Sequence, residues 1–192
     1  MRLAQGRLAA QFAAEGARLV ALTVDGVDVV MGAGRNFAAA DITAGAICGR
    51  IAGRIAGARF PLDGREVRLV ANTPPDQLHG GPEGFCHRSW DAEAVDDGVC
   101  FRLASHDGDQ GYPGAVQASA TYRLTADGLT LDLEAVTTAP TVINLTNHGY
   151  WNLAGGGSVL DHELLIEADD MLPLTAAKIP TGAVAPVQDT RF

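Results

Sequence analysis

Asp-Gly pairs punctuate this chain at Asp25-Gly26, Asp63-Gly64, Asp97-Gly98, Asp107-Gly108 and Asp127-Gly128. They constrain its fold more than any other feature. Asp-Gly supplies the positive φ angles of tight hairpin turns at low steric cost. Several of these turns are flanked by residues that alternate apolar and polar. Leu129, Leu131, Leu133 and Ala135 alternate with Thr130, Asp132 and Glu134. Val116, Ala118, Ala120, Tyr122 and Leu124 alternate with Gln117, Ser119, Thr121 and Arg123, and Val99, Phe101 and Leu103 with Cys100 and Arg102. A period of two marks half-buried strands. Phe60 to Leu69 reads as a hairpin around Asp63-Gly64, with Pro61 suited to an edge. Only the Ala-rich patches near 8–15 and 38–48 hint at helix, and neither keeps a 3.6-residue period. The chain therefore reads as all-β, a sandwich or barrel of antiparallel sheets.

Composition narrows the partners. The 192 residues suffice for one sizeable core, and 47% apolar with 19% charged residues is ordinary for a globular protein. A net charge of −9 with a single lysine, Lys178, argues against nucleic acid or an anionic membrane as partner. No apolar run approaches the roughly 18 residues of a membrane span. The N-terminus lacks the continuous apolar stretch of a secretory signal. Cys48, Cys86 and Cys100 are an odd number without CxxC spacing, so reduced, buried thiols in a cytoplasmic protein are expected.

The chemistry concentrates in Asn144-Leu145-Thr146-Asn147-His148-Gly149-Tyr150-Trp151-Asn152-Leu153. Read as a strand, this run puts Asn144, Thr146 and His148 on one face, and Ile143 and Leu145 on the other. The polar face offers hydrogen-bond partners, a titratable nitrogen and nearby rings, which suits a polyhydroxylated ligand. Gly155-Gly156-Gly157-Ser158 follows as a loop at the rim. His79 lies in Leu78-His79-Gly80-Gly81, where glycines allow close approach of backbone. His87 and His106 read as solvated turn residues, and His162 as the start of a strand or a loop cap. No HxH or HxxxH spacing points to a metal, and no GxSxG, GxxxxGK[ST] or strand-linked GxGxxG is present. Arg50 and Arg54 sit in a small, apolar run, where a guanidinium needs a carboxylate or a ligand oxygen. An internal salt bridge suits Arg50, which leaves Arg54 for ligand.

These residues resemble the aldose 1-epimerase, or galactose mutarotase, family. The resemblance rests on blocks in order from about residue 17 onward. The first is Gly49-Arg50 through Gly53-Arg54-Ile55-Ala56, with Phe60 and Leu62-Asp63-Gly64. The second is Leu78-His79-Gly80-Gly81, with Gly84-Phe85 and Trp90. The third is Asn144 to Leu153, with Leu160-Asp161-His162-Glu163 and Pro180-Thr181-Gly182.

The resemblance implies a large antiparallel β-sandwich, here one domain over 1–192, that interconverts hexose anomers without cofactor. One group protonates the ring oxygen while another takes the anomeric hydroxyl proton. By resemblance His148 is the acid, His79 and Arg54 bind the sugar and support charge on its oxygens, and Gly53, Gly149 and Tyr150 line the site. Gly53 replaces the family's usual Asn and removes one side-chain contact. The family's substrate-binding Asp and catalytic Glu lie well downstream of its Pro-Thr-Gly segment, so the chain resembles the N-terminal part of such an enzyme. Two other readings stand beside it. One is a sugar-binding or sensing module without catalysis. The other is a hexose-6-phosphate epimerase, which would require more Arg or Lys.

Overall fold

A computed structural model of the chain describes residues 1–31 and 43–188. Strands β1 (Arg2–Gln5), β2 (Leu8–Ala13), β3 (Arg18–Val24) and β4 (Val27–Asp28) form one antiparallel meander. Between the two large sheets come β5 (Ile47–Cys48), β6 (Arg54–Ile55), β7 (Arg59–Leu62), β8 (Arg65–Arg68) and β9 (Gln77–Leu78). A second meander follows, in the order β10 (Asp91–Val95), β11 (Gly98–Ser105), β12 (Val116–Leu124) and β13 (Leu129–Thr137). Short pairs complete the described fold: β14 (Thr146–Asn147) on β5, and β15 (Asp170–Met171) on β16 (Ala185–Pro186).

Register explains the core. Val99 faces Tyr122, Phe101 faces Ala120 and Leu103 faces Ala118 across β11 and β12, and all six are buried. From the first sheet, Phe12 reaches across to the Tyr122 ring at 4.7 Å and the Phe101 ring at 6.3 Å. The two meanders thus pack face to face as a sandwich, and one buried cluster draws on both. Full burial of each Val, Leu or Phe side chain in it contributes roughly 1.5–3 kcal/mol.

The alternating segments named from sequence are β11, β12 and β13, and the hairpin at Asp63-Gly64 is β7–β8, paired Arg59 to Arg68 through Leu62 to Arg65. The helical hint at 8–15 is corrected. Leu8, Ala10 and Phe12 are buried at every second position of β2, and that burial outweighs the helical preference of alanine. Of the patch at 38–48, residues 38–42 lie outside the described residues, and Ile47–Cys48 is strand. Among the described residues one pairing departs from the antiparallel rule, an isolated parallel bridge between Ile51 and Asn144. No helix among the described residues is long and apolar enough to cross a membrane.

Candidate active site

Main-chain bonds fix the segment that carries His148. Asn147 pairs with Ile47 and Thr146 with Cys48. The Asn144 N–H donates to Arg50 O at 2.9 Å, and the Ala52 N–H to Asn144 O at 2.8 Å. His148 is held from both sides: its N–H donates to Ala46 O, and its carbonyl accepts from Gly45 N–H, each at 2.8 Å. Gly45 (φ +69) must be glycine, since a Cβ there would lie 2.1 Å from Leu19 O. The buried Arg18 guanidinium donates to Ala44 O and ties the same loop down.

Leu145 packs against the core. Asn147 also turns inward, where its Nδ2 donates to Gly45 O at 2.7 Å and to Tyr122 Oη at 3.1 Å. Tyr122 in turn donates to Ala17 O at 2.9 Å. Burial pushes the Tyr122 phenol well above its ordinary pKa, against a weaker opposing effect of Asn147, so the hydroxyl keeps its proton as a fixed anchor. Asn147 therefore links the polar run to the core. The polar run alone does not show this, but a tyrosine on the buried face of β12 needs a partner for its hydroxyl.

An open groove of about 490 Å³ lies over this segment. Its walls include Ala52, Gly53, His79, Asn144, Thr146, His148 and Gly149. The His79 and His148 rings meet edge-on with centroids 5.2 Å apart, and the Tyr150 ring lies 5.1 Å from His148. The Gly53 N–H donates to His79 Nδ1, and the His79 N–H to Gly53 O, both at 3.0 Å. A larger groove of about 600 Å³ follows the β7–β8 hairpin beside Arg59, Phe60 and Arg65. No histidine lines it, so the smaller groove is the better candidate for proton-transfer chemistry.

Glycines let the two His-bearing segments close on each other. A Cβ on Gly80 (φ +87) would sit 1.8 Å from Gly49 O. A Cβ on Gly49 would meet Leu145 Cδ2 at 2.5 Å and Phe85 Cδ2 at 2.6 Å.

The two arginines have different surroundings, and the salt bridge expected for Arg50 is corrected. Arg50 is buried, but its donors meet no carboxylate directly. They go to Ser105 Oγ at 3.0 Å, Pro113 O at 3.0 Å, His106 O at 2.8 Å and Ser105 O at 3.3 Å. The charge reaches Asp109 through the Ser105 hydroxyl, which donates to that carboxylate, and Arg88 pairs with Asp109 at 2.6 Å. Burial pushes the Arg50 guanidinium below its ordinary pKa, and Asp109 offsets part of that. Burial alone would raise the Asp109 carboxyl, but the Ser105 and Arg88 hydrogen bonds and the Arg88 charge outweigh it and hold it low.

Arg54 is half-buried on β6, one residue beyond Gly53 and opposite Leu78, and is not among the groove-lining residues. His87 and His106 are exposed. His162 caps a loop: its Nε2 accepts the Leu153 N–H at 3.1 Å. Among the described residues no three His, Cys, Asp or Glu gather as a metal site.

The Aldose 1-epimerase family model matches residues 1–192. The chain belongs to the aldose 1-epimerase family. It is 46% identical over 150 residues to the galactose mutarotase of Homo sapiens, covering 77% of this chain and 44% of that protein. To the aldose 1-epimerase of Escherichia coli (strain K12) it is 44% identical over 151 residues, with the same coverage. The chain thus spans less than half the length of the curated relatives it matches. Among solved structures, the GalM/aldose epimerase homologue from C. elegans superposes with a TM-score of 0.92 at 32% identity, over 99% of this chain and 62% of that one. The galactose 1-epimerase from Lactobacillus acidophilus NCFM gives 0.87 at 28% identity, over 98% and 58%. The aldose 1-epimerase fold expected from the sequence is therefore the one observed.

Proposed function

We propose that the groove binds an aldohexose such as galactose or glucose and interconverts its α and β anomers. The observation that carries this reading is the meeting of His79 and His148 at one polar groove, with the Tyr150 ring beside His148, in a chain related to galactose mutarotases. His148 protonates the ring oxygen, and imidazole suits that task because it titrates near neutral pH. His79 and Arg54 hold sugar hydroxyls, while Gly53, Gly149 and Tyr150 shape the wall. No cofactor enters the reaction, because ring opening and reclosure of a hemiacetal only move protons. Cys48, Cys86 and Cys100, all buried thiols, suit a cytoplasmic setting.

Among the described residues that wall the groove none is Asp or Glu, so the anomeric proton passes to water when this chain acts alone. A missing base typically costs about 10²–10⁴-fold. Polarimetry of freshly dissolved α-galactose with purified 192-residue protein tests the reading. Decay of optical rotation should exceed the buffer rate yet fall well below a kcat of about 10 s⁻¹, an ordinary enzyme rate. His148→Gln should return it to the buffer rate. Equal rates for wild type and His148→Gln would remove His148 from the acid role. Galactose binding without any acceleration would favour a sugar-binding module instead.

A further inference from the structure

The pairing of Gly53 with His79 decides how one of the two histidines handles protons. Gly53 and His79 continue the β6–β9 ladder one step beyond Arg54 and Leu78. In a regular antiparallel pair such residues exchange two main-chain hydrogen bonds. Here only one is main chain to main chain, from His79 N–H to Gly53 O. The return bond runs from the Gly53 N–H to the imidazole Nδ1. The reason is local. His79 sits at φ +51, and its carbonyl turns toward Gly84, where a Cβ would lie only 2.3 Å away. The ring fills the place the carbonyl leaves in the ladder.

A backbone N–H can only donate, so Nδ1 must be unprotonated and accepting. A neutral imidazole carries one N–H, which then sits on Nε2. A proton on Nδ1 would face the Gly53 N–H donor to donor and break the bond. We infer that the Gly53 main chain holds His79 as its Nε2–H tautomer, making it a hydrogen-bond donor to a sugar oxygen and disqualifying it as the proton acceptor. Gly53 is a positioning residue that acts through its backbone, and proton transfer at this pair of rings falls to His148. The role toward sugar rests on the proposed function. The tautomer does not.

Long-range ¹H–¹⁵N correlation spectra of the ¹⁵N-labelled protein at neutral pH test it, with His79→Asn to assign the ring. The expected pattern is a protonated Nε2, a bare Nδ1, and a scalar coupling between Nδ1 and the Gly53 amide nitrogen across the N–H···N bond. A proton on Nδ1, a tautomer average or an imidazolium overturns the inference. Isosteric replacements give a second arm. Asn places Oδ1 where Nδ1 lies, and Gln places its amide nitrogen where Nε2 lies. His79→Asn should keep the melting temperature within about 2 °C, yet raise the galactose concentration for half-saturation about tenfold. His79→Gln should hold that concentration within about threefold. Tight binding by His79→Asn with weak binding by His79→Gln overturns the assignment. If neither wild type nor variants bind galactose, the sugar-site reading falls, and the spectrum still decides the tautomer.

Discussion

The β11–β12 hairpin and the stretch from Leu153 to Gln188 are both rich in apolar residues, yet they end in opposite states. In β11 and β12, Val99, Phe101, Val116 and Ala120 are wholly buried. In the later stretch Leu160 is 90% exposed, Leu164 78% and Leu165 85%. The difference is pairing. Each inward residue of β11 stands opposite an inward residue of β12 over a continuous register, so side chains arrive together on one face. Among the described residues, the later stretch is paired through two residues each of β15 and β16 and the isolated Leu174–Pro180 bridge. Apolar content builds a core only where a ladder aligns it.

Hydrogen exchange should show the widest gap between these regions. Amides of β11 and β12 open only with the whole fold, whereas those of 159–168 open locally, so their protection should differ by about 10³ or more. Equal protection would mean that the later stretch belongs to the same cooperative unit. Next in size is a pair of truncations. Phe101→Ala should cost about 3–5 kcal/mol in urea unfolding, and Leu164→Ala less than about 0.5 kcal/mol. A large loss at Leu164 would erase the contrast. The arginines give a smaller version within the folded body. Arg50→Ala leaves the Ser105, His106 and Pro113 carbonyls short of donors and should cost about 1–3 kcal/mol. Arg54→Ala should change stability by less than about 0.5 kcal/mol while weakening galactose binding. The reverse pattern would exchange their roles.

What could be read from the sequence follows the same divide. β11, β12, β13 and the β7–β8 hairpin were legible because side-chain alternation and Asp-Gly turns are written in residue types. The polar character of Asn144 to His148 was legible for the same reason. The helical hint at 8–15 misled because alanine favours a helix, whereas burial of Leu8, Ala10 and Phe12 on one face decided for a strand. The carbonyls around Arg50 and the clasp of Gly45 and Ala46 on His148 were not legible, because every residue carries the same main-chain groups. Only the fold decides which of them converge. The Gly53 bond to His79 is of that kind too.

The contact of Gly80 with Gly49 has a consequence for inheritance. Where a side chain is crowded, a second mutation elsewhere can shrink its neighbour and restore the fit. At this contact the atom in the way of a side chain on position 80 is the Gly49 carbonyl oxygen, which any residue at position 49 would carry, so no second mutation can make room. A lineage carrying this gene can alter the side chains around the groove. Position 80 must be passed on as glycine, whereas position 49, crowded by the Leu145 and Phe85 side chains, can change when those side chains shrink.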